Sequence, residues 1–215
     1  MDAAPAPAGL PCRGVPAVAT VTDVQTLPLF PLHTVLLPGA PLGLRVFERR
    51  YLDLVSDCCR RGTGFGVCLI LDGEETGAPA TPAAWGVEAL IEDFGADAAG
   101  LLTLHVRGRR RFHVTGTGVR DNGLLVGQVN WCDPLSPAPA RLRPEHAVMG
   151  TLLGELLDKV GGEYASANPR LLEEADWVGW RLAELLPLTD EQRLALLQED
   201  DPHRRLDRLL GWLDV

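Results

Sequence analysis

The chain has 215 residues, enough for one substantial domain or two small ones. Hydrophobic residues make up 46% of it and charged residues 23%, as in ordinary globular proteins, and no apolar run reaches the roughly 18 residues of a membrane-spanning helix. The net charge of −9 disfavours binding to the phosphate backbone of nucleic acids. We therefore expect neither a membrane nor a nucleic acid as partner.

The N-terminal segment, residues 1–23, is rich in alanine and proline. It lacks the basic and apolar regions of a signal peptide, so we interpret it as a disordered leader, with a misassigned start codon as the alternative. The five cysteines form no CxxC pair, which argues against a zinc site or a disulfide framework. We expect a cytoplasmic protein without a metal or cofactor.

Residues 27–51 are densely apolar but interrupted by prolines at 28, 31, 38 and 41. Because proline lacks an N–H and fixes φ, this pattern predicts short extended pieces rather than a long helix or a central strand. Pro38-Gly39 predicts a turn. Alternating apolar residues at 42–46 predict a strand, and helical spacing begins at Glu48.

Four further strands are predicted, within residues 64–71, 86–94, 102–114 and 125–131. A Gly/Pro-rich loop is predicted at 72–83. Gly108 interrupts its strand pattern, which indicates a bulge or bend that could help to close a barrel. Asp121-Asn122-Gly123 predicts a hairpin.

The pattern changes after residue 132, where prolines at 134, 137, 139 and 144 predict a semi-rigid linker over 133–143. Helical spacing follows throughout 144–215. Asn168-Pro169 predicts the start of one helix, and Thr189 with Gln192 forms a capping-box pattern for another. Asp201-Pro202 predicts the start of the last helix.

The ordered motifs Leu27–Leu32, Val35–Gly39, Leu44–Tyr51, Gly108–Phe112 and Asp121–Leu125 resemble the signature of the Lon protease N-terminal (LON substrate-binding) domain. The resemblance implies an α+β fold with a PUA-like β pseudobarrel lobe (24–132) and, after the linker, a C-terminal helical bundle (144–215). Its structural motif residues here are Pro31, Pro38, Gly39, Phe47, Glu48, Tyr51, Gly108, Arg111 and Phe112.

Full-length Lon adds an ATPase and a Ser-Lys protease domain to this region, and their signatures are missing from the sequence. There is no GxxxxGK[ST] phosphate loop, and Ser56, Ser136 and Ser166 do not stand in a GxSxG pattern. The resemblance therefore implies a non-enzymatic module that binds unfolded or tagged polypeptides and passes them to a protease or chaperone. A hydrolase and a small-ligand sensor are the alternatives, and whether the chain forms a homodimer stays open.

The predicted peptide-binding residues lie in the proline-broken ribbon: Leu29, Phe30, Leu32, Val35 and Leu37. We expect unpaired strand edges beside exposed apolar side chains, a combination that holds extended peptides by strand addition. The cleft between the two lobes is the alternative location.

The arginines at 107, 109, 110 and 111 are expected to alternate between the two faces of a strand, so that only half can point one way. We interpret them as solvent-facing, with Arg111 paired to a carboxylate such as Glu48. Trp177 and Trp180, spaced i, i+3 on a helix, are interpreted as core residues, with a surface for a partner as the alternative.

Overall fold

The computed structural model of the chain describes residues 25–133, 140–162, 164 and 167–213. The predicted leader, most of the linker, Ser136 and Ser166 lie outside these residues. Strands come first: β1 (Gln25–Leu32), β2 (Pro41–Val46), β3 (Phe65–Asp72), β4 (Thr81–Ala96), β5 (Leu102–Val119) and β6 (Leu125–Trp131), with helix α1 (Arg49–Arg61) between β2 and β3. The helices α2 (Ala147–Val160), α3 (Ala175–Leu185), α4 (Asp190–Leu197) and α5 (Pro202–Leu213) follow. This order confirms the predicted α+β class.

Strand β1 corrects the prediction for the proline-rich ribbon. It is one continuous strand that lies between β3 and β6 in the sheet, although it contains Pro28 and Pro31. Its first half, residues 25–28, pairs with β6, and its second half, residues 29–32, pairs with β3. Each half of β1 pairs with only one neighbouring strand. The N–H that a proline lacks is therefore not required by strands on both sides, and β1 can contain two prolines.

The strands close into a barrel, because β6 pairs with both β5 and β1 while β3 and β4 complete the circuit. Strand β2 pairs with the first half of β5 and extends the sheet beyond the barrel. The fully buried Phe112 ring fills the interior together with Leu29 and Val129. Inward side chains from β1, β3, β5 and β6 thus form a packed interior, as in other small barrels.

Most predicted boundaries in the β lobe are confirmed, with two corrections. Strand β4 begins at Thr81, so the loop predicted over 72–83 is shorter than expected, and β5 continues past the predicted residue 114 to Val119. The hairpin at Asp121-Asn122-Gly123 is confirmed, since the amide of Arg120 donates to the carbonyl of Leu124 at 2.9 Å and Gly123 has a φ of 80°.

Gly108 lies where two pieces of backbone approach closely. Its amide donates to the carbonyl of Ala40 at 2.9 Å, and its carbonyl accepts from the amide of Gly39 at 2.8 Å. A Cβ on Gly108 would lie 2.2 Å from the carbonyl oxygen of Leu37, so only glycine fits. The Pro38-Gly39 turn is therefore held against β5 by backbone hydrogen bonds.

The predicted bulge follows directly after Gly108. Ala89 on β4 pairs with Gly108, whereas Val87 pairs with Arg111, so two steps along β4 face three steps along β5. The extra residue falls at Arg109 and Arg110 and breaks the alternation of side chains that a regular strand would impose.

Helix α1 covers the outer face of the barrel. Its Tyr51 ring stacks on Phe30 with the ring centroids 4.0 Å apart, and Leu54 is buried beside them. Glu48 is its N-cap residue, and the neighbouring Phe47 is exposed. The apolar face predicted from the helical spacing is thus the face that packs on the β lobe.

The helices also follow the sequence signals, except that one predicted helix is interrupted. The capping box is present, since the Thr189 hydroxyl accepts from the Gln192 amide and the Gln192 side chain accepts from the Thr189 amide. The helix predicted from Pro169 onward is instead a short 3-10 helix, Pro169–Glu173, followed by α3. The break arises because the backbone at 173–175 pairs with the end of the linker at 140–142.

Two buried arginines connect the lobes, Arg111 and Arg181, and a third, Arg205, lies in the helical lobe and shares the Glu199 carbonyl with Arg111. We call this set the interlobe joint. Arg181 on α3 donates to the carbonyls of Pro38 and Gly39 at 2.6 and 2.9 Å. Arg205 on α5 donates to the carbonyl of Glu199 at 2.6 Å, and its guanidinium lies 3.8 Å from the ring of Trp180. All three side chains are buried, so the two lobes share polar contacts that solvent does not reach.

Arg111 corrects two predictions, because it is buried and its carboxylate partners are Asp133 and Asp200. Glu48 pairs with Arg50 instead, at 3.2 Å. Burial by itself would lower the pKa of Arg111, but the hydrogen bond and charge of Asp133, with Asp200, raise it above its ordinary value. Trp180 is buried in the core as predicted, and Trp177 is partly buried.

None of the helices formed by the described residues combines the length and apolar character needed to cross a bilayer.

Candidate functional site

The five predicted peptide-binding residues lie mainly in the core. Leu29, Phe30, Leu32 and Leu37 are each no more than 6% exposed, and Val35 is half-buried. This placement differs from the exposed apolar edge that the ribbon predicted, because Leu29 points into the barrel interior and the other side chains pack against α1 and the helical lobe. Direct contact between a polypeptide and these residues stays a prediction, and it would require the core to open.

The cleft between the lobes, the alternative location, is small. It encloses about 190 Å³ and is lined on the β lobe by residues 34–37 and 40–42, which include Val35 and Leu37, and on the helical lobe by Glu184 and Arg193. Ligand pockets commonly enclose roughly 300–1,000 Å³, so this cleft is too small for a polypeptide segment without movement of the lobes.

A larger cavity of about 370 Å³ opens beside the first half of β1. We call it the edge groove. Its lining comes from β1 (Gln25, Thr26, Leu27, Pro28), from the end of α1 and the turn after it (Leu54, Asp57, Cys58, Arg61, Gly62, Thr63, Gly64), and from β4, β5 and β6 (Glu88, Leu90, Arg109, Arg110, Arg120, Trp131).

The edge groove exists because β1 and β3 separate. Their pairing begins at Leu29 and Gly66, and the chain before Gly66 turns back toward α1, where the Thr63 amide donates to the Cys58 carbonyl at 3.1 Å. Among the described residues, the strand partner of Gln25–Pro28 is β6 alone. Gln25, Thr26, Leu27 and Pro28 all line the groove, and no strand of the described residues pairs with the other edge of Thr26–Pro28.

One wall of the groove combines an aromatic ring with charged groups. The guanidinium of Arg110 lies 3.9 Å from the centre of the Trp131 ring, and its Nε donates to the Glu88 carboxylate at 3.3 Å. The Trp131 indole donates to the side-chain carbonyl of Gln25 at 3.1 Å. These contacts hold the Trp131 ring in place beside the strand edge.

The groove carries more positive than negative side chains. Arg61, Arg109 and Arg120 are exposed and have no carboxylate partner in the part of the chain that the structure describes. Its two carboxylates are already paired, Glu88 with Arg110 and Asp57 with Arg60. Alternation along β5 predicted that neighbouring arginines would point to opposite faces, but the bulge brings Arg109 and Arg110 to the same groove. The interruption at Gly108 is the sequence signal that could have indicated this.

An apolar hollow of about 420 Å³ adjoins the groove and shares four residues with it, Cys58, Gly62, Thr63 and Leu90. The remaining lining residues are Cys59, Ile91, Glu92 and Phe94. Phe94 is 63% exposed. Groove and hollow together offer a backbone edge, a cationic section and an apolar section along one continuous surface.

The groove offers little for covalent chemistry. The lining residues include no histidine, and burial raises the pKa of the Cys58 thiol, which also contacts the carbonyl of Gly64 at 3.5 Å. A protonated thiol without a neighbouring base is a poor nucleophile. Within the described residues, no cluster of His, Cys, Asp or Glu could hold a metal ion.

Comparison with known proteins identifies the fold and the family. The family described as the ATP-dependent protease La (LON) substrate-binding domain matches residues 26–215. The chain belongs to this family. The LON substrate-binding match spans both lobes and so confirms the resemblance seen in the sequence. A search of curated proteins returned no match.

Two solved structures resemble this LON substrate-binding domain. A Lon N-terminal domain protein from Xanthomonas campestris is 58% identical, with a TM-score of 0.75, and the match covers 88% of this chain and 99% of that one. The N-terminal domain of the Lon protease of the Mycobacterium avium complex is 20% identical, with a TM-score of 0.62, covering 87% and 97%. The second likeness shows the fold alone.

Proposed function

We propose that this chain is a non-catalytic module that binds extended segments of unfolded or tagged polypeptides in the edge groove. The observation that carries this proposal is that Gln25–Pro28 line a cavity of about 370 Å³ and that β6 is their one strand partner among the described residues. An extended segment placed there can pair with β1 as an added strand. The family description, a substrate-binding domain, supports the same function.

The dimensions of the groove suit a short segment. Four residues of β1 span about 13 Å at the rise of an extended strand, so the added strand would have about four residues. Each backbone hydrogen bond contributes only about 0.5–1.5 kcal/mol net, which makes strand pairing weak by itself. Additional affinity would come from the apolar hollow at Phe94, where an unfolded chain can bury a hydrophobic side chain.

The role is binding rather than catalysis, because the groove combines a buried, protonated thiol with a lack of histidines. Strand pairing uses only the backbone of the bound segment, so this part of the binding does not depend on the segment's sequence. That property suits a module that passes polypeptides to a protease or chaperone. The described cysteines, Cys58, Cys59, Cys68 and Cys132, are free thiols, in keeping with a reducing, cytoplasmic location.

The test is to fill the groove without disturbing the core. Thr63 is exposed and lines the groove, so Thr63→Trp should occupy the space while leaving the fold intact; Thr117→Trp, on an exposed part of β5 outside the groove, is the matched control. Binding of reduced, carboxamidomethylated lactalbumin is measured by fluorescence anisotropy. We expect at least a tenfold loss, about 1.4 kcal/mol, for Thr63→Trp alone. Equal binding by both variants would refute the groove as the site.

A second pair of variants tests the apolar hollow. Phe94→Ala should weaken binding of the same unfolded protein about three- to tenfold, because a contact with an exposed ring is lost. Leu71→Ala is the control, since Leu71 is exposed to a similar degree, 61% against 63%, and lies outside the groove and the hollow.

A further inference from the structure

We infer that the edge groove selects acidic polypeptide segments, an inference that rests on the proposed function and specifies its substrate class. The groove is lined by four arginines against two carboxylates, Asp57 and Glu88. Glu88 is paired with Arg110, one of the four, and Asp57 with Arg60 outside the lining, so the charges of Arg61, Arg109 and Arg120 are left for a bound segment.

The cations come from separate elements and converge. Arg61 is the last residue of α1, Arg109 stands in the bulge of β5, and Arg120 lies at the turn between β5 and β6. A regular strand would have sent Arg109 and Arg110 to opposite faces, and the extra residue after Gly108 places both in the groove. The fold itself therefore assembles the positive surface.

The arginines suit carboxylates in particular. A guanidinium is planar and presents two parallel N–H groups that match the two oxygens of a carboxylate. Of the four arginines, Arg110 has its ion pair with Glu88, while Arg61, Arg109 and Arg120 have none within the described residues. Three guanidinium groups are thus available to incoming acidic side chains.

A peptide fits the observations better than a nucleic acid. The whole chain has a net charge of −9, which repels a long polyanion, whereas a short acidic segment meets only the local positive charge of the groove. The backbone edge of Gln25–Pro28 pairs with another peptide backbone, which a nucleic acid does not possess. Both properties of the groove select an extended polypeptide.

The spacing of the acidic residues follows from strand geometry. Alternate side chains of an extended segment point to the same side and lie about 6.7 Å apart. Acidic residues at alternate positions would therefore all face the arginines, and the intervening positions would face away. We expect the best ligand to carry aspartate or glutamate at every second position.

The experiment uses three labelled peptides of ten residues, identical except at alternate positions, which carry aspartate, asparagine or lysine. Fluorescence anisotropy with the full chain should show the aspartate peptide binding about tenfold more tightly than the asparagine peptide at low ionic strength, with the advantage falling as salt is added. The double variant Arg61→Gln/Arg109→Gln should reduce the preference for aspartate to about twofold, because Arg120 is then the one groove arginine left without an ion pair among the described residues.

Arg141→Gln is the control, because Arg141 is an exposed arginine of the helical lobe that pairs with Glu173 and lies outside the groove. It should leave the preference for aspartate unchanged. Arg61 and Arg109 are exposed, so melting temperatures of all variants should stay close to that of the parent chain.

The outcomes separate the two proposals. Equal affinities for the aspartate and asparagine peptides, both abolished by Thr63→Trp, would overturn the acidic preference and leave strand addition standing. Failure of all three peptides to bind would overturn both proposals. Tighter binding of a ten-nucleotide oligothymidylate than of the aspartate peptide would overturn the assignment to polypeptides.

Discussion

Arg111 on β5 donates a hydrogen bond of 2.8 Å to the carbonyl of Leu197, the last residue of α4 and 86 positions further along the chain. The same guanidinium donates to Asp133 at 2.6 Å and to the carbonyl of Glu199 at 3.0 Å. Cations are favourable at a helix C-terminus, where carbonyls lack intrahelical partners. A barrel side chain therefore completes the end of a helix in the other lobe, and this links the stability of the two lobes.

Replacing Arg111 should destabilise both lobes together. Arg111→Met leaves the Asp133 carboxylate without its guanidinium partner and removes the donor to the Leu197 carbonyl, and breaking such a buried ionic contact costs about 3–5 kcal/mol. Urea denaturation followed by tryptophan fluorescence and by far-UV circular dichroism should show one shared transition at a lower midpoint. Arg49→Met, which removes an exposed i,i+4 ion pair with Asp53, should cost less than about 0.5 kcal/mol. Separate transitions for the two probes would contradict the shared stability.

The interlobe joint also marks a limit of inference from sequence. The sequence predicted that Arg111 faces solvent and pairs with a carboxylate such as Glu48, but it is buried and its partners stand 22 and 89 residues further on. Hairpins, caps and strands could be predicted because their signals are local, as in Thr189 with Gln192. Contacts between lobes depend on how the elements dock, which no local pattern specifies.

The sequence does not predict the edge groove, for a related reason. The ribbon at 27–38 was correctly recognised as extended and apolar, and the bulge at Gly108 was predicted. The groove, however, requires β1 and β3 to separate before Leu29 and requires the bulge to bring Arg109 and Arg110 together. Composition and alternation of residues describe single strands. This site depends instead on how neighbouring strands are aligned with one another.

The second prediction concerns the Pro38-Gly39 turn, whose carbonyls accept hydrogen bonds from Arg181 of α3. Gly39 has a φ of 75°, and a Cβ there would lie 3.2 Å from a guanidinium nitrogen of Arg181; Gly77 has a φ of 85° and open space around it. Both substitutions by alanine should cost about 1–2 kcal/mol for the left-handed backbone. Gly39→Ala should cost about 1 kcal/mol more, because Arg181 must shift from two carbonyls.

A double-mutant cycle isolates that extra cost. In the Arg181→Met background the difference between Gly39→Ala and Gly77→Ala should shrink, and urea denaturation measures each free energy of unfolding. An unchanged difference would show that the Gly39 penalty does not come from contact with Arg181.

The third prediction is a pH dependence from His203 on α5. Burial lowers its pKa below the ordinary 6.5, and the charges of Arg143 and His146 lower it further. The titratable and charged groups around this histidine are Arg143, Glu145, His146, Asp201 and, through its 2.7 Å contact with His146, Asp207. Because the unfolded chain binds the proton more readily, this contribution to stability is complete above pH 6.5 and is lost as the pH falls through the folded-state pKa.

Thermal unfolding between pH 8 and pH 5 tests this dependence. His203→Gln should flatten the fall in melting temperature between pH 7 and pH 5, whereas His33→Gln, at a half-exposed site beside Glu74, should leave the slope of the parent chain. A parallel slope for His203→Gln and the parent chain would assign the dependence to other groups.

The last prediction concerns thiol reactivity. Burial raises the pKa of the Cys68 thiol to about 12, whereas Cys59 on α1 is exposed. Because the thiolate is the reactive form, Cys68 should resist alkylation by iodoacetamide at pH 8 in the folded chain, while Cys59 reacts within minutes. Mass spectrometry of digested samples, with and without urea, measures both sites. Since Cys68 packs beside Phe112 inside the barrel, its labelling rate should follow global unfolding and rise in Arg111→Met by about tenfold for each 1.4 kcal/mol of lost stability. Rapid labelling of Cys68 in the native parent chain would show that the barrel opens without unfolding.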